Sequence, residues 1–380
     1  MKVLHVIDSL GRGGAEQLLS TLLPELRRQG LDVCVLVRGG AMDLAPQIKA
    51  SGIPVRQLAA RHRWNLIGMA REIALIVHSE KVDLVHAHLY FPVVATALMR
   101  FLRLAPVRTC VTFHNLAYAG ANRPTLALDM RRRLAAFLCQ RGIDRCLGVS
   151  GEVARHFRAA YSLRQIEVLP NPVDVAALRT LVADKSPSTA LDSHCSIVLP
   201  GRIVPEKGHA DLIEALVILK GKGLTPAVII VGDGPLRSNV EAQVHNLGLT
   251  DHVTFTGQQD HAALMAIMAD AEIVVVPSRF EGFGLTALEA MTLGRAVVGS
   301  RAGGLPETIG GAGILVPVAD PAALAQALAR LSHDPELRAR LGSEAAYRAA
   351  TQFDLPTVSA RLITIYAGLL GAAKTTPNRK

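Results

Sequence analysis

Short apolar runs alternate with longer amphipathic stretches along the 380 residues, and the runs have the length of strands. Residues 3–7 read as a buried strand. The stretch 15–29 that follows places Leu18, Leu19, Leu22, Leu23 and Leu26 at helical spacing. Further strands are predicted at 32–37, 54–58, 84–86, 107–113, 145–149 and 166–169, with helices over 65–79 and 126–141. The pattern breaks at 183–194, which is polar, contains Pro187 and has no period. It reads as a loop near a domain boundary. The alternation then restarts, with strands at 196–199, 227–231, 253–256, 273–276 and 296–299 and helices near 209–221, 235–247, 261–269 and 285–292. Two successive βα series predict an α/β protein of two Rossmann-like, doubly wound domains, with ligands at the carboxyl ends of the strands and the active site in a cleft between the domains.

Composition agrees with that class. Half the chain is hydrophobic, 19% is charged and only 4% is aromatic, so Leu, Ala, Val and Ile must build the cores, as in parallel sheets covered by helices. The first apolar stretch is interrupted by His5 and ended by Asp8, too short for a secretory leader. No run reaches the roughly 18 apolar residues of a spanning helix. The longest, 362–373, reads as a terminal packing helix. Cys34, Cys110, Cys139, Cys146 and Cys195 form an odd set with no Cys-x-x-Cys pair, which points to reduced thiols in the cytosol.

Charge changes the picture in one respect. Residues 1–180 hold 24 Lys and Arg against 13 Asp and Glu, a net +11, and the remainder hold 17 against 19, a net −2. The first half is therefore suited to an anionic partner such as lipid headgroups. No aromatic-studded basic motif or helix-turn-helix pattern accompanies the charge, so nucleic acid is not expected. In 131–141 apolar residues alternate with arginines at helical spacing. That segment reads either as a helix resting on an anionic membrane or as a buried amphipathic helix with a solvated basic face.

Three turns carry candidate chemistry. Gly11 to Glu16 follows the first strand and opens the first helix, where glycines admit a ligand to the backbone and a helix N-terminus attracts anions. Glu16 stands where a dinucleotide fingerprint requires glycine. The turn Gly201-Arg202-Ile203-Val204-Pro205-Glu206-Lys207-Gly208 offers two cations to a diphosphate. No Asp-x-Asp triplet is present to hold a divalent metal in their place. The third and strongest is Phe280-Glu281-Gly282-Phe283-Gly284-Leu285-Thr286, with Glu289 about one turn into the helix beyond. Its glycines expose amides suited to phosphate, and its carboxylates accept hydrogen bonds from hydroxyl groups. His86 and His88 raise a zinc reading, but no third ligand of suitable spacing accompanies them.

The ordered set of motifs resembles the family 4 retaining glycosyltransferases of the GT-B fold. The matching pieces are Gly13-Gly14-Ala15-Glu16, His86-Ala87-His88, Thr112-Phe113-His114, Val149-Ser150, Asn171-Pro172-Val173-Asp174, Gly201-Arg202, Glu206-Lys207-Gly208, Val231-Gly232-Asp233-Gly234-Pro235, Phe280 to Gly284 with Glu289, and Gly303-Gly304-Leu305-Pro306-Glu307. They span about 300 residues in the family's order. The resemblance implies a nucleotide-diphosphate sugar donor, a glycan or lipid-linked acceptor, retention at the anomeric carbon, and no cofactor or metal. It assigns Arg202 and Lys207 to the diphosphate, Glu281 to hydroxyls of the transferred sugar, and Glu289 to the ribose. The amides of Gly284, Leu285 and Thr286, with Phe283 in the same turn, serve sugar and phosphate. Gly13 and Gly14 approach the phosphate, and His114 sits beside the sugar. Backbone groups around Gly257 and Gln258 hold the base. It also implies an acceptor-side domain of residues 1–176 to which 355–380 returns, and a donor domain of 177–354.

A UDP-sugar is the first donor expectation and GDP-mannose the second, in cell-surface polysaccharide or lipopolysaccharide synthesis. The expected location is the cytoplasm, including the inner face of its membrane. Three other readings compete. A sugar-nucleotide-binding module without turnover is expected to lack Glu281 or the Arg202 and Lys207 pair, and all three are present. A nicotinamide-dependent oxidoreductase requires the glycine fingerprint that Glu16 breaks. A pyridoxal-phosphate phosphorylase requires a Schiff-base lysine signature, which is missing.

Overall fold

The apolar runs become parallel strands. The computed structural model describes residues 1–11, 13–59, 62–117, 125–183 and 196–371, in two compact units. The first, Met1–Pro172 with the segment from Leu355 onward, contains β1 (Lys2–Ile7), β2 (Asp32–Val37), β3 (Val55–Gln57), β4 (Leu84–His88), β5 (Arg108–Phe113), β6 (Arg145–Gly148) and β7 (Glu167–Val168). Their order across the sheet is β3-β2-β1-β4-β5-β6-β7. The second, Val173–Asp354, contains β8 (Ser196–Pro200), β9 (Ala227–Val231), β10 (Val253–Gly257), β11 (Ile273–Val276), β12 (Ala296–Ser300) and β13 (Ile314–Val316), ordered β10-β9-β8-β11-β12-β13.

Parallel neighbours need long crossovers, which the intervening helices supply. Helices on both faces leave β8, β11 and β12 buried along their whole length, which is why these strands read as largely continuous apolar runs rather than alternating ones. In each unit the strand order reverses beside the first strand, between β1 and β4 and between β8 and β11. In sheets of this kind ligands bind at that reversal, outside the carboxyl ends of the strands.

Helix Gly14–Arg28 buries Leu19, Leu22, Leu23 and Leu26 in the core of the first unit, and helix Leu355–Gly371 adds Leu355, Val358, Leu362, Tyr366 and Leu369 to the same core. Gln29 donates to the Ser359 hydroxyl at 2.7 Å beside this contact. Cys34, Cys110, Cys139 and Cys146 are free and buried; Cys195 lies outside the described residues, as does the expected loop from residue 184 on. Among the described residues no helix is long and apolar enough to cross a membrane.

The boundaries differ from expectation in places that matter. The strand predicted at 84–86 continues to His88, which puts His86 and His88 on one face of the sheet. The strands expected at 54–58 and 166–169 shrink to Val55–Gln57 and Glu167–Val168. Helices Tyr90–Phe101, Gly151–Tyr161, Pro321–His333 and Pro335–Gln352 and strand β13 have no counterpart in the sequence reading.

Leu362 is 1% exposed. Leu362→Ala should lower the stability of the first unit by about 2–5 kcal/mol in denaturant titration followed by circular dichroism. Leu370→Ala, on the half-buried side of the same helix, should cost clearly less. Equal losses would show that the helix is not docked by this face.

Candidate active site

The loop after β8 is built around a buried anchor. Ile203 is fully buried between Arg202 and a single 3-10 turn, Pro205–Lys207. Gly208 then turns the chain into helix His209–Lys220 with φ 71°, in the left-handed region that glycine enters without strain. Its missing side chain matters as well, because a Cβ here would overlap the carbonyl oxygen of Pro277. The loop is thereby held against the end of β11. Arg202 is exposed and its guanidinium has no partner among the described residues. The Lys207 Nζ lies 2.7 Å from Glu281 Oε2.

Glu281 belongs to the loop after β11, and that loop is fixed from several sides. Arg279 pairs with Asp211 at 2.6 Å and its amide donates to the Glu206 carbonyl at 2.7 Å. The Ser300 hydroxyl donates to the Ser278 carbonyl, and the Ser278 hydroxyl donates to Glu281 Oε2 at 3.4 Å. Phe283 is buried and meets Phe353 edge-on at 5.6 Å. The Thr308 hydroxyl donates to the Phe283 carbonyl at 2.6 Å, and the Gly304 amide donates to the Glu281 carbonyl at 3.0 Å. A Cβ at Gly304 would overlap the Gly282 carbonyl.

Gly284 is the N-cap of helix Leu285–Thr292, and no side chain caps that end. The first amides of the helix therefore face outward with the positive end of its dipole. Glu289, four residues further, accepts a hydrogen bond from His261 Nε2 at 3.0 Å. That bond raises the pKa of His261 against the opposing effect of burial. His261 opens helix His261–Asp270 just beyond Gly257 and Gln258, at the end of β10. It was absent from the sequence reading, although Asp260-His261 stands where an N-cap and first turn are expected. The second unit thus gathers Arg202, Lys207, Gly257, Gln258, Glu281, Phe283, Gly284, Leu285, Thr286 and Glu289 at the carboxyl ends of its strands. Lys207 and Glu281 are joined by a side-chain hydrogen bond.

In the first unit, Gly13 caps helix Gly14–Arg28, with the Glu16 carboxylate turned back to accept from the Ser9 hydroxyl at 2.8 Å. His114 follows β5 directly. The expectation that His86 and His88 lack a third partner is corrected by the fold. His5 on β1 is in register with His86 on β4, and one nitrogen from each of His5, His86 and His88 falls within 4.8 Å of the others. Local spacing could not reveal this, because the third imidazole comes from a strand some 80 residues away. The polar His5 inside an otherwise apolar strand was the only sign of it.

His88 bonds to both His5 (3.1 Å) and His114 (3.0 Å). The two His86 nitrogens are taken by the hydroxyls of Tyr366 (2.5 Å) and Thr112 (2.8 Å). Burial pushes His5 down to about 3 and His114 to about 4, and with neighbouring imidazoles it holds His86 and His88 well below the ordinary range. The four rings are neutral at physiological pH.

Two family models match the chain, Glycosyltransferase Family 4 over residues 12–177 and Glycosyl transferases group 1 over residues 188–348. The chain is 28% identical over 383 residues to 2-deoxystreptamine N-acetyl-D-glucosaminyltransferase of Streptomyces fradiae, covering 93% of this chain and 90% of that protein. It is 37% identical over 178 residues to Alpha-D-kanosaminyltransferase of Streptomyces kanamyceticus; that match covers 46% of each, so the chain spans about half the length of that relative. Among solved structures, Anabaena Alr3699/HepE in complex with UDP superposes with a TM-score of 0.79 over 97% of this chain and all of that one, at 21% identity, which is a likeness of fold. With two sheets of doubly wound order and family matches that run in sequence from residue 12 to residue 348, the chain belongs to family 4 of the GT-B glycosyltransferases.

Proposed function

We propose that the protein transfers a hexose-type sugar, with retention and without a metal, from a nucleoside diphosphate to a glycan or lipid-linked acceptor. One observation carries the reading. An arginine without a partner among the described residues, a lysine–glutamate pair and a helix N-terminus with no side-chain cap stand at the strand-order reversal of the second sheet. Positive charge from two cations and a helix end suits a diphosphate leaving group. A carboxylate beside them suits sugar hydroxyls.

In this reading Arg202 and Lys207 bind the diphosphate. Lys207 exchanges Glu281 for phosphate when the donor arrives, and Glu281 is released to the transferred sugar. Glu289, held by His261, takes the ribose hydroxyls. The amides of Gly284, Leu285 and Thr286, beside Phe283, hold sugar and phosphate, while the backbone at Gly257 and Gln258 holds the base. From the first unit, His114 is assigned to the sugar and the Gly13–Gly14 turn to its phosphate. The leaving phosphate assists removal of the acceptor proton, so no protein nucleophile is required. The UDP bound by the Anabaena protein favours a uridine donor, with GDP-mannose second.

The acceptor is placed at an anionic membrane surface, in polysaccharide or lipopolysaccharide synthesis at the inner face of the cytoplasmic membrane. Helix Leu126–Gly142 supports this. It buries a narrow face of Ala135, Leu138, Cys139 and Gly142 and leaves Leu126, Met130, Leu134 and Phe137 exposed. Those four recur at helical spacing and form one outward stripe. The inward face of Ala135, Leu138 and Cys139 fits the buried amphipathic alternative; the exposed stripe is what favours the membrane reading. Arg133 is largely exposed beside the stripe, and the Arg141 guanidinium lies 4.0 Å from the Phe137 ring centre. The +11 balance of residues 1–180 supplies the complementary charge.

Three measurements test these assignments. In a thermal-shift comparison of UDP, GDP, ADP, dTDP, CMP and NAD, one nucleoside diphosphate should raise the melting temperature. A ligand at about 100 times its Kd adds about 2.7 kcal/mol. Glu289→Gln should abolish the shift, whereas a response to NAD alone would turn the reading to an oxidoreductase. Arg202→Ala and Lys207→Ala should each lower kcat by about 10²–10³-fold in a nucleotide-release assay; wild-type turnover in both would remove the cation pair from the mechanism. The protein should co-sediment with phosphatidylglycerol vesicles and not with phosphatidylcholine vesicles. The double variant Met130→Glu and Leu134→Glu should lose most of that binding, and undiminished binding would exclude this helix as the contact.

A further inference from the structure

Three of the four clustered histidines are joined head to head. His5 Nδ1 and His88 Nε2 are 3.1 Å apart, with ring planes within 6° and ring centres 5.4 Å apart. His88 Nδ1 and His114 Nε2 are 3.0 Å apart, with ring centres separated by 5.3 Å. In both pairs the centre-to-centre distance is what the nitrogen–nitrogen distance and two ring radii add up to. The bonded nitrogens therefore lie on the line between the rings and point at each other. Ligands of a tetrahedral metal converge at an angle on a point off that line. Mutual hydrogen bonds are the arrangement these rings have adopted.

Each neutral imidazole carries one proton and one lone pair. Two inter-ring bonds in series allow only two patterns. In one, all three rings carry the proton on Nε2 and the chain ends in a His5 Nε2–H. In the other, all three carry it on Nδ1 and the chain ends in a His114 Nδ1–H. The two ends differ. His5 is fully buried in the middle of β1, and its Nε2 has no hydrogen-bond partner among the described residues. A proton there would be an orphaned donor, which folded proteins tolerate less well than an unused acceptor. The His114 Nδ1 is likewise buried and without a partner among the described residues, but it stands just past the end of β5, where ligands of such sheets bind and where a bound ligand can accept from it.

We propose that His5 and His88 are positioning residues that act through His114, fixing it as the neutral tautomer with its proton on Nδ1, a hydrogen-bond donor offered to the ligand. Low imidazole basicity, imposed by burial, keeps the chain neutral and so preserves its direction. His86 serves as the floor. Its ring centre is 4.2 Å from that of His88, and its own nitrogens are occupied by Thr112 and Tyr366. The consequence for turnover rests on the reading in which His114 meets the donor sugar; the tautomer does not.

The test is long-range ¹H–¹⁵N correlation spectroscopy on the full chain with ¹⁵N-labelled histidine, the His114 signal being assigned by its loss in His114→Gln. A protonated Nδ1 and bare Nε2 at His114 in the wild type are expected. A protonated Nε2, or an even mixture, overturns the proposal, as does loss of the His5, His86 and His88 signals on titration with one equivalent of Zn²⁺, which would make the cluster a metal site. His88→Leu should release His114 into mixed tautomers and lower kcat by about tenfold or more with little change in KM. His88→Asn, whose amide places an N–H near the position of Nδ1, should restore both the tautomer and most of kcat. A fixed tautomer in the wild type with undiminished kcat in His88→Leu would keep the relay and refute the role of His114 at the sugar.

Discussion

The candidate site of the second unit depends on backbone lying against backbone. The loop after β8 touches the end of β11 where Gly208 faces the Pro277 carbonyl, and the loop after β11 touches the next turn where Gly304 faces the Gly282 carbonyl. Any side chain at either point would push two loops apart. This contact sets where Lys207 and Glu281 emerge and where the helix beginning at Leu285 aims its amides. The Arg279–Asp211 pair and the Ser300 and Thr308 hydroxyls brace the same loops. They do so through backbone carbonyls and a side-chain pair away from the candidate phosphate groups, so support and chemistry are assigned to different residues. Preorganised donors of this kind need little rearrangement when charge develops on a ligand.

The first unit uses a different device. Its candidate groups rest on side chains within one face of the sheet, where strand register brings His5, His86 and His88 together and continues them to Thr112 and His114. Buried polar groups are expensive unless their hydrogen bonds are met. Here the cost is met almost entirely inside the cluster, with a hydroxyl from β5 and one from helix Leu355–Gly371 completing it. Among the described residues, the two ends of the imidazole chain are left without partners.

Much of this was legible in the sequence, and the reasons differ by element. The strands of both sheets announce themselves because a parallel strand buried on two faces is an unbroken apolar run. The turns after β8 and β11 were readable because glycine and charge stand together where a strand ends. Helix Tyr90–Phe101 was not, because its sequence, with paired valines and Thr96 buried, is apolar on nearly every side and lacks the stripe that betrays a surface helix. Helices Pro321–His333 and Pro335–Gln352 did carry a signal. Asp320 and Asp334 each precede a proline and cap the amide three residues on, which is a recognisable helix start. The partners of His5 and His261 could not be read from local spacing, since each contact joins strands or helices that only tertiary structure brings together.

The first unit is interrupted. About 180 residues of the second unit stand between Pro172 and Leu355, yet the helix that begins at Leu355 completes the first unit's core and delivers Tyr366 to His86. On the ribosome, at ~5–20 residues per second, that helix follows the rest of its own unit by roughly 10–40 seconds. Until it arrives, the core lacks Leu355, Val358, Leu362, Tyr366 and Leu369, and His86 lacks one of its two hydroxyl partners. The nascent chain therefore has time to fold the second unit first. The half that emerges earliest from the ribosome is then the last to become native, and it presents its apolar groove to the cell's folding helpers in the meantime.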